Sequence, residues 1–341
     1  MVVEDAPGDG DSPVPAIAQV GNRPIAYHVL DALEAAGARE IVVASSARSA
    51  GAVRDCISDH RPRGTQLEFV EQPAPMDFTT ALSAAAPLVD DAACIVHVAG
   101  GLLAEPLVSL AESLDDGPDA VLMVHQTPAP GERLSAAALN VLRLAELDPN
   151  RSSLGVAGVW AFGPGVIRHA ETCPSGDRDG ITQMAERIAS SGGTIHIRLA
   201  DAWRAYRGKA ADLLELNRIV LDRLEGDAHR FASEGNQIEG RVWIHENATV
   251  RNSVIVGPTV IGDGAHVSDA YIGPYTSIGS GARVEGAEIE RSIIASGASI
   301  VHVGDRLVAS VVGPNARVFR DFALPRALRL RVGDGAEVAL C

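Results

Sequence analysis

The chain has 341 residues, of which 46 % are hydrophobic, so it is long and apolar enough to form two domains with buried cores. Its formal net charge is -15 at pH 7 and no cluster of Lys and Arg stands out, which argues against nucleic-acid binding. No apolar run has the length of a transmembrane helix, so we expect no membrane association.

The first residues, MVVEDAPGDGDSPV, are acidic and rich in Gly and Pro, and they lack the basic and apolar regions of a signal peptide. We therefore predict that residues 1–14 form a disordered tail of a cytoplasmic protein. The four cysteines, at positions 56, 94, 173 and 341, have neither CxxC nor metal-ligand spacing. This arrangement predicts reduced thiols rather than disulfides.

Residues 15–226 alternate helix and strand signals. The segment 24–37 has Pro near its start and Gly past its end, as expected of an amphipathic helix. Short apolar and β-branched runs predict buried strands at 40–45, 67–72, 94–100, 119–125 and 155–162. This alternation favours an α/β domain with a mostly parallel sheet covered by helices on both faces. A long helix at 210–226 closes the domain, and a polar linker follows at 227–240.

A repeat of 17 residues follows the linker, over 244–260, 261–277 and 278–294. Each copy has an aliphatic residue at places 1, 7 and 12 and Ala at place 5. The aliphatic positions are Ile244, Val250, Ile255, Ile261, Val267, Ile272, Ile278, Val284 and Ile289. A helix cannot keep this spacing on one face, whereas a three-sided coil of short parallel strands can. We predict coils over 241–313, with a fourth, less regular coil at about 294–311, and a C-terminal tail over 314–341.

Several segments resemble long-form glucose-1-phosphate thymidylyltransferases, which are sugar nucleotidyltransferases with C-terminal hexapeptide coils. GNRPIAYHVLDALEAAGAREIVV resembles the segment after the family's phosphate-binding loop, FVEQPAP its base-binding strand end, and GVAGVWAF the strand of its sugar pocket. ADLLELNRIVLD, the coil sequence and RLRVGDGAEV resemble later parts of the family. The resemblance implies a nucleotidyltransferase-like (Rossmann-like) sheet domain followed by a left-handed parallel β-helix.

The family's reaction is the attack of a sugar phosphate on the α-phosphorus of a nucleoside triphosphate, which requires backbone donors, cations and Mg²⁺. By resemblance, this chain lacks each of these elements. It has no GGxGTRL-type loop, and Pro15 stands where the family has a catalytic Lys. Gly100 replaces one metal-binding Asp, and Tyr206, or Ala205 with a different gap, replaces the other. Leu147 replaces the Lys that holds the sugar phosphate.

Five losses in five motifs predict a pseudoenzyme that has the nucleotidyltransferase fold without the transfer reaction. It would bind a sugar phosphate or nucleotide, or would assemble as a homo-oligomer or with a related enzyme of a sugar or secondary-metabolite pathway. We expect no cofactor and no metal site. The alternative is a diverged active enzyme that forms an NDP-sugar with Mg²⁺ and uses Arg204, Arg207 and Lys209 as replacement cations. A third possibility is new chemistry in the emptied pocket.

Three residues match ligand contacts of the family: Gln72 (base edge), Glu146 (sugar hydroxyls) and Gly158 (close approach to the sugar). Local packing or hydrogen bonding is the favoured explanation for all three. Asp77 stands where the family has Gly and would crowd or repel a nucleotide.

Four histidines suggest other chemistry. His97 and His125 lie in predicted central strands and would suit acid–base work, but such histidines are also common in cores. His245 and His266 lie on the coils, where hexapeptide-coil acyltransferases have a catalytic His. With only about four coils predicted, acyl transfer is a minor alternative.

Overall fold

A computed structural model describes residues 1–4, 14–58, 60, 64–73, 77–89, 91–115, 117–127, 154–173, 180–226 and 235–322. The described part contains an α/β domain followed by a parallel β-helix, as predicted. Within that part, every helix is too short or too polar to span a bilayer.

The α/β domain is built from ten described strands and six described α-helices. The strands are β1 (Gln19–Val20), β2 (Arg23–Pro24), β3 (Glu40–Ser46), β4 (Gln66–Gln72), β5 (Cys94–His97), β6 (Gly101–Leu103), β7 (Ala120–Gln126), β8 (Leu154–Phe162), β9 (Ile195–Leu199) and β10 (Trp203–Ala205). The helices are α1 (Ile25–Ala35), α2 (Ala50–Ser58), α3 (Phe78–Val89), α4 (Val108–Asp115), α5 (Gly180–Ser190) and α6 (Ala210–Asp222). Short 3₁₀ helices cover Pro15–Ile17 and Val166–Thr172.

The first residues of the chain complete the central sheet. Val2 forms parallel bridges to Ala44 beyond β3's midpoint and to Val98 just after β5. Val3 donates a hydrogen bond to Ala44 O (2.8 Å), and Ala99 donates one to Val2 O (2.7 Å). The strand order is therefore β4–β3–(1–3)–β5–β8–β7–β9. The pairs β3–β4 and β7–β9 are parallel, whereas β8 runs antiparallel to both of its neighbours.

This arrangement corrects the prediction of a disordered tail over residues 1–14. Met1, Val2 and Val3 are buried, and the Met1 ammonium donates a hydrogen bond to Val42 O. Two strands flank this short apolar segment, so ladder hydrogen bonds on both sides hold it in place. Residues 5–13, the rest of the predicted tail except Val14, lie outside the described part.

Helix α1 illustrates how the sequence forms the covering layer. Ile25, Val29 and Leu33 recur at intervals of four and are buried on one face against the sheet. The helix ends at Ala35, and Gly37 follows the cap residue Ala36 with a φ of 93°, in the left-handed region that favours glycine. Burial of Cys94 at the start of β5 raises the pKa of its thiol to about 12, which fits the predicted unreactive, reduced cysteine.

The β-helix has five coils in the described part, one more than predicted. The first coil contains β11 (Gln237–Glu239), β12 (Val242–Ile244) and β13 (Thr249–Arg251), and the second contains β14 (Val254–Val256), β15 (Thr259–Ile261) and β16 (His266–Ser268). The third contains β17 (Tyr271–Ile272), β18 (Thr276–Ile278) and β19 (Arg283–Glu285), and the fourth contains β20 (Glu288–Glu290), β21 (Ile293–Ile294) and β22 (Ser299–Val301). The fifth contains β23 (Leu307–Val308), β24 (Val311–Val312) and β25 (Arg317–Phe319).

Three parallel five-stranded sheets form the sides of this β-helix. The predicted aliphatic positions point inward, and Ile255, Ile272 and Ile289 are fully buried in one stack. The domain begins at Gln237, inside the segment predicted as a linker, and it extends to Phe319, inside the segment predicted as a tail. Of those two segments, residues 227–234 and 323–341 lie outside the described part.

A buried amide lies where the two domains meet. Asn217 on α6 accepts hydrogen bonds from Gly21 N (2.8 Å) and from Ser277 Oγ (2.7 Å) at its Oδ1 atom. Its Nδ2 atom donates to Tyr275 O at 3.1 Å. Because Asn217 is only 1 % exposed, these bonds satisfy polar groups that water cannot reach. They connect α6, the turn between β1 and β2, and the third coil.

Candidate functional site

The candidate site lies where the central parallel strands end. Ligands of α/β sheets bind in the crevice beyond the carboxyl ends of such strands. Here residues 1–3 and β5 lead into Glu4 and into Val98–Gly101, respectively. The chain then continues into β6, which pairs antiparallel with β10, so residues more than 100 positions apart become neighbours.

The pairing of β6 with β10 brings together the two positions that the resemblance assigned to metal-binding carboxylates. Ala205 lies opposite Gly101, and Tyr206 N donates a hydrogen bond to Gly100 O at 2.8 Å. None of the side chains at 100, 205 and 206 is a carboxylate. Burial, and then the charge of Asp212, raise the pKa of the Tyr206 hydroxyl, so this group stays neutral at pH 7.

Pro15 packs directly in front of Gly100. A Cβ atom placed on Gly100 would lie 3.0 Å from Pro15 Cβ and 3.5 Å from Glu4 Oε2. Pro15 therefore occupies the space next to the strand end, at the position where the family has a catalytic Lys, and it has neither charge nor a donor. The structure thus brings Pro15, Gly100 and Tyr206 together, as the resemblance implied.

Mg²⁺ requires several oxygen ligands in near-octahedral geometry. At this strand end Glu4 offers one carboxyl group. Desolvation raises the pKa of this carboxyl group, and the charge of Arg207 offsets part of that rise. Within the part of the chain that the structure describes, no group of three His, Cys, Asp or Glu residues could hold a metal ion. The described residues at this strand end therefore do not fit the magnesium ion that the resemblance implies.

Trp203 explains two of the site glycines by packing. A Cβ atom on Gly101 would lie 2.5 Å from the Trp203 ring, and one on Gly158 would lie 2.9 Å from it. Val98 also contacts the Gly158 position, at 3.0 Å. Gly158 was predicted to allow close approach of a sugar, but the indole alone is sufficient to require glycine there.

The other two predicted ligand contacts have different outcomes. Gln72 is half-buried at the end of β4, opposite Ser46, and its carbonyl accepts a hydrogen bond from Ala47 N at 2.8 Å. Strand β3 and residues 1–3 separate it from β5, so it lies toward the sheet edge rather than beside Gly100. Glu146, like Leu147, lies outside the described residues. Their predicted roles stay predictions.

Asp77 has a structural role that the sequence analysis missed. Its Oδ1 accepts hydrogen bonds from Thr80 N (2.7 Å) and from Thr79 Oγ1 (2.9 Å) at the start of α3. Thr80 Oγ1 in turn accepts a bond from Asp77 N at 3.0 Å. This is the capping of a helix N-terminus, so the carboxylate is directed into the helix. An Asp immediately before a helical segment is the signal that could have predicted this.

The two strand histidines are core residues. His97 and His125 are buried, and each donates a hydrogen bond from Nδ1 to the carbonyl of the following residue. His97 also contacts the Trp203 ring, with centroids 5.6 Å apart. Burial lowers the pKa of His97 to about 4, so it is neutral at pH 7. We find no acid–base arrangement that joins these two residues in the described part.

Of the three predicted replacement cations, Arg204 lies on β10, and Arg207 and Lys209 lie on the exposed turn between β10 and α6. Arg204 donates to Trp203 O at 2.8 Å, and the backbone N–H of Arg207 donates to Asp212 at 2.9 Å. Lys209 immediately precedes α6 and is exposed. This turn follows Tyr206 directly, so its side chains border the candidate site.

On the coils, His245 pairs with Asp263 at 3.0 Å, and His266 is exposed on β16.

Comparisons with known proteins agree with the architecture. A glucose-1-phosphate thymidylyltransferase of Streptomyces antibioticus is 30 % identical over 332 residues, covering 94 % of this chain and 92 % of the relative. A protein of the same name from Streptomyces griseus is 30 % identical over 330 residues, with the same coverage. The low-salt glycan biosynthesis nucleotidyltransferase Agl11 of Haloferax volcanii is 28 % identical over 332 residues. No family model matches the chain.

A solved structure shows the same fold. It is that of a Bacillus anthracis protein described as a glucose-1-phosphate thymidylyltransferase, in complex with sucrose. It superimposes with a TM-score of 0.53 at 16 % identity, covering 66 % of this chain and 96 % of that one.

Proposed function

This chain belongs to the glucose-1-phosphate thymidylyltransferase family, and from that premise we propose that it retains the fold without metal-dependent nucleotidyl transfer. It acts instead by binding a sugar phosphate or a nucleotide, or by assembling with a related enzyme. The observation that supports this proposal is the hydrogen bond from Tyr206 N to Gly100 O, because it joins the two positions at which the resemblance expects metal-binding carboxylates and neither residue has one.

The physical consequence is a strand end without the groups that the reaction needs. In-line transfer concentrates negative charge, and each missing charge-stabilising group costs about two to three orders of magnitude in rate. Such losses are not additive, but they act on the same step, so turnover is expected to be negligible. Pro15 adds to this effect because it fills the position of a cation.

Binding a ligand requires fewer charge-stabilising groups than catalysing its transfer. The charge beside Tyr206 supports a retained anion-binding pocket. Arg204 at β10 and Arg207 and Lys209 on the following turn present positive charge beside Tyr206. A sugar phosphate or the phosphates of a nucleotide would be attracted to that turn. Bound ligand would stabilise the folded protein by about 3–4 kcal/mol at a hundred to a thousand times its Kd.

The test combines thermal unfolding with a turnover assay on the full chain. Glucose 1-phosphate, deoxythymidine triphosphate and other nucleotides are each added with and without Mg²⁺, and the Streptomyces antibioticus enzyme serves as the positive control. We expect a Mg²⁺-independent rise in Tm with one ligand class, or none at all if the role is assembly, and no release of diphosphate. Diphosphate release at an ordinary enzymatic rate would refute the proposal.

A second candidate function is a diverged active enzyme that forms an NDP-sugar. The observation in its favour is the 30 % identity across 94 % of the chain to relatives named as enzymes. It requires the cations of the 204–209 turn to replace the metal. Arg207→Glu would then abolish turnover, whereas Arg251→Glu, an equal charge change on an exposed strand of the first coil, would leave it intact. Equal turnover in both variants would exclude the replacement-cation mechanism.

The assembly role is tested separately by co-purification of the full chain with its partners. A cytoplasmic location and either a homo-oligomer or a complex with a related enzyme are part of the proposal. Absence of any ligand shift together with a stoichiometric protein partner would favour assembly over sensing.

A further inference from the structure

A second cavity lies at the amino ends of the central strands, at the opposite edge of the sheet from the candidate site. Residues 1–3, β3 and β5 run parallel, so their first residues meet at this edge. The cavity has a volume of about 470 Å³, which is within the range of small-molecule sites, and all of its lining residues lie in the described part of the chain. It is therefore separate from the strand end that contains Gly100 and Tyr206.

The walls of this cavity are apolar. Leucines from three helices line it, namely Leu33 of α1, Leu82 of α3 and Leu114 of α4. Seven alanines line it as well, and their small side chains leave the space open. Leu88 is 40 % exposed, and Ile95 is only half-buried although it lies on a central strand. An apolar ligand would therefore bury surface that is accessible to water.

Three helices end at this cavity. Helix α1 ends at Ala35, α3 at Val89 and α4 at Asp115, and residues of each last turn line the cavity. The C-terminus of a helix has a partial negative charge, which favours a nearby cation and disfavours an anion. The charged side chains that line the cavity are Arg39, Glu40 and Asp115, so carboxylates outnumber cations. All three are exposed, which places them at the mouth of the cavity rather than inside it.

Two further titratable groups line the cavity, and both are neutral at pH 7. Burial lowers the pKa of the Met1 amino group to about 5. Burial raises the pKa of the Cys94 thiol to about 12. The cavity therefore combines a neutral, apolar interior with a mouth of net negative charge.

We propose that this cavity binds a hydrophobic organic amine, that is, an aliphatic or aromatic body with one ammonium group. The body would pack on the leucines and Ile95. The ammonium group would stay at the mouth near Asp115, where the end of α4 adds a favourable partial charge. A fatty acid of the same length would bring its carboxylate to the same helix ends and to two carboxylates, so it should bind more weakly.

This site is independent of the proposed function. The anions of that function are attracted to the cations beside Tyr206, at the other edge of the sheet. The two edges therefore favour ligands of opposite charge, and either assignment can fail without the other.

Isothermal titration of the full chain with three eight-carbon probes tests the class of ligand. At pH 7 we expect octylamine, which is then an ammonium ion, to bind at least about tenfold more tightly than octanoate, with octanol between them. The three probes share the same chain, so the difference reports the head group alone. Octanoate binding as tight as that of octylamine, or no binding of octylamine at millimolar concentration, would overturn the proposal.

Substitutions at the cavity test the place of binding. Ala93→Trp should abolish octylamine binding, because the exposed Ala93 lines the cavity and an indole there would fill it. Ala189→Trp, at an exposed position of α5 outside the cavity, is the control and should bind octylamine as the unmodified chain does. Binding that persists unchanged in Ala93→Trp would show adsorption elsewhere on the protein and would refute the site.

A charge variant tests the head group while leaving the walls intact. Asp115→Asn should weaken octylamine binding about three- to tenfold and should leave octanol binding unchanged, because it removes a charge but keeps the shape. Glu112→Gln, at an exposed position of the same helix that does not line the cavity, is the control. Equal octylamine affinities in these two variants would contradict the placement of the ammonium group at the mouth.

Discussion

The β-helix and the α/β domain differ in which positions keep the residue types that their folds and sites lead one to expect. In the β-helix, the same residue type recurs at the same place in successive coils, and Ile255, Ile272 and Ile289 form one buried stack. In the α/β domain, core residues such as Val29 and Trp160 are buried, but the strand-end positions Gly100 and Tyr206 carry no carboxylate, although the resemblance places metal-binding Asp residues there. Packing constrains a residue through every neighbour it touches, whereas a catalytic group at a strand end supports little of the fold.

Under the proposed function, this difference means that reactive groups are lost while the scaffold stays intact. The strand end even gains contacts of its own, because Trp203 packs on Gly101 and Pro15 packs on Gly100. A site that is filled by packing is more stable than one that holds charged groups ready for a reaction. The four predictions below test whether the two domains differ in this way, beginning with the largest effect.

Ile272→Ala should destabilise the β-helix by about 2–5 kcal/mol, because it leaves a cavity in the middle of an inward stack that cannot collapse. Denaturant unfolding measures the change. Glu246→Ala, an exposed change in a turn of the first coil, is the control and should stay within about 0.5 kcal/mol. A cost for Ile272→Ala as small as that of the control would mean that coil packing tolerates losses as readily as the strand end does.

Acid should weaken the α/β domain through two buried histidines. Burial lowers the pKa of His97 and of His28 to about 4, below the value of 6.5 in an unfolded chain. The unfolded state therefore binds more protons as the pH falls from 6.5 toward 4, and stability is lost over that window. The loss for each histidine is about 2 kcal/mol by pH 5.

Urea unfolding at pH 7 and pH 5 measures this loss in the unmodified chain and in His97→Gln, which should lose less stability on acidification. His266→Gln, on an exposed position of the coils, should retain the full pH dependence. If His97→Gln and the unmodified chain respond identically to acid, His97 does not carry the predicted proton linkage.

Much of the architecture could be predicted from the sequence because its signals are periodic. The coils follow a repeat of 17 residues, but the steps from Ile278 to Ile294 and on to Val312 are 16 and 18 residues, which hid the fifth coil. Met1–Val3 is too short to show a strand pattern. Its conformation depends on hydrogen bonds to two strands that are distant in sequence.

The site was less predictable than the fold. The contact of Gly100 with Tyr206 depends on the pairing of β6 with β10, and only the resemblance pointed to it, since no local pattern specifies long-range pairing. Asp77 was interpreted through the resemblance as an obstacle to a nucleotide, although its position before a helix indicated a cap. A family motif suggests a role, but the local hydrogen bonds decide where a side chain is directed.

Asn217→Ala should cost about 1–3 kcal/mol, because it leaves Gly21 N and Ser277 Oγ buried without their acceptor. The effect tests whether the two domains unfold as one unit, since this amide is shared between them. Unfolding followed by hydrogen exchange should show the third coil and α6 losing protection together. The control is Asn247→Ala, whose bond to Asp263 is exposed, and it should have almost no effect. Loss of protection confined to one domain would contradict the coupling.

Restoring carboxylates at the strand end should change stability least and should not restore the reaction. In Gly100→Asp the new Cβ would lie 3.0 Å from Pro15, so we expect a cost of about 1 kcal/mol. The double variant Gly100→Asp/Tyr206→Asp supplies two metal ligands but leaves Pro15 in the place of a cation. Isothermal titration should detect Mg²⁺ binding in the double variant, and the diphosphate-release assay should show no turnover.

The matched control is Gly100→Asn with Tyr206→Asn, which has the same size but no charge and should not bind Mg²⁺. Turnover in the carboxylate variant would mean that the strand end lacks only its metal ligands and that the rest of the catalytic centre still works. Absence of Mg²⁺ binding in that variant would show that packing by Pro15 has closed the site. Either result would locate the difference between the two domains in individual contacts at the strand end.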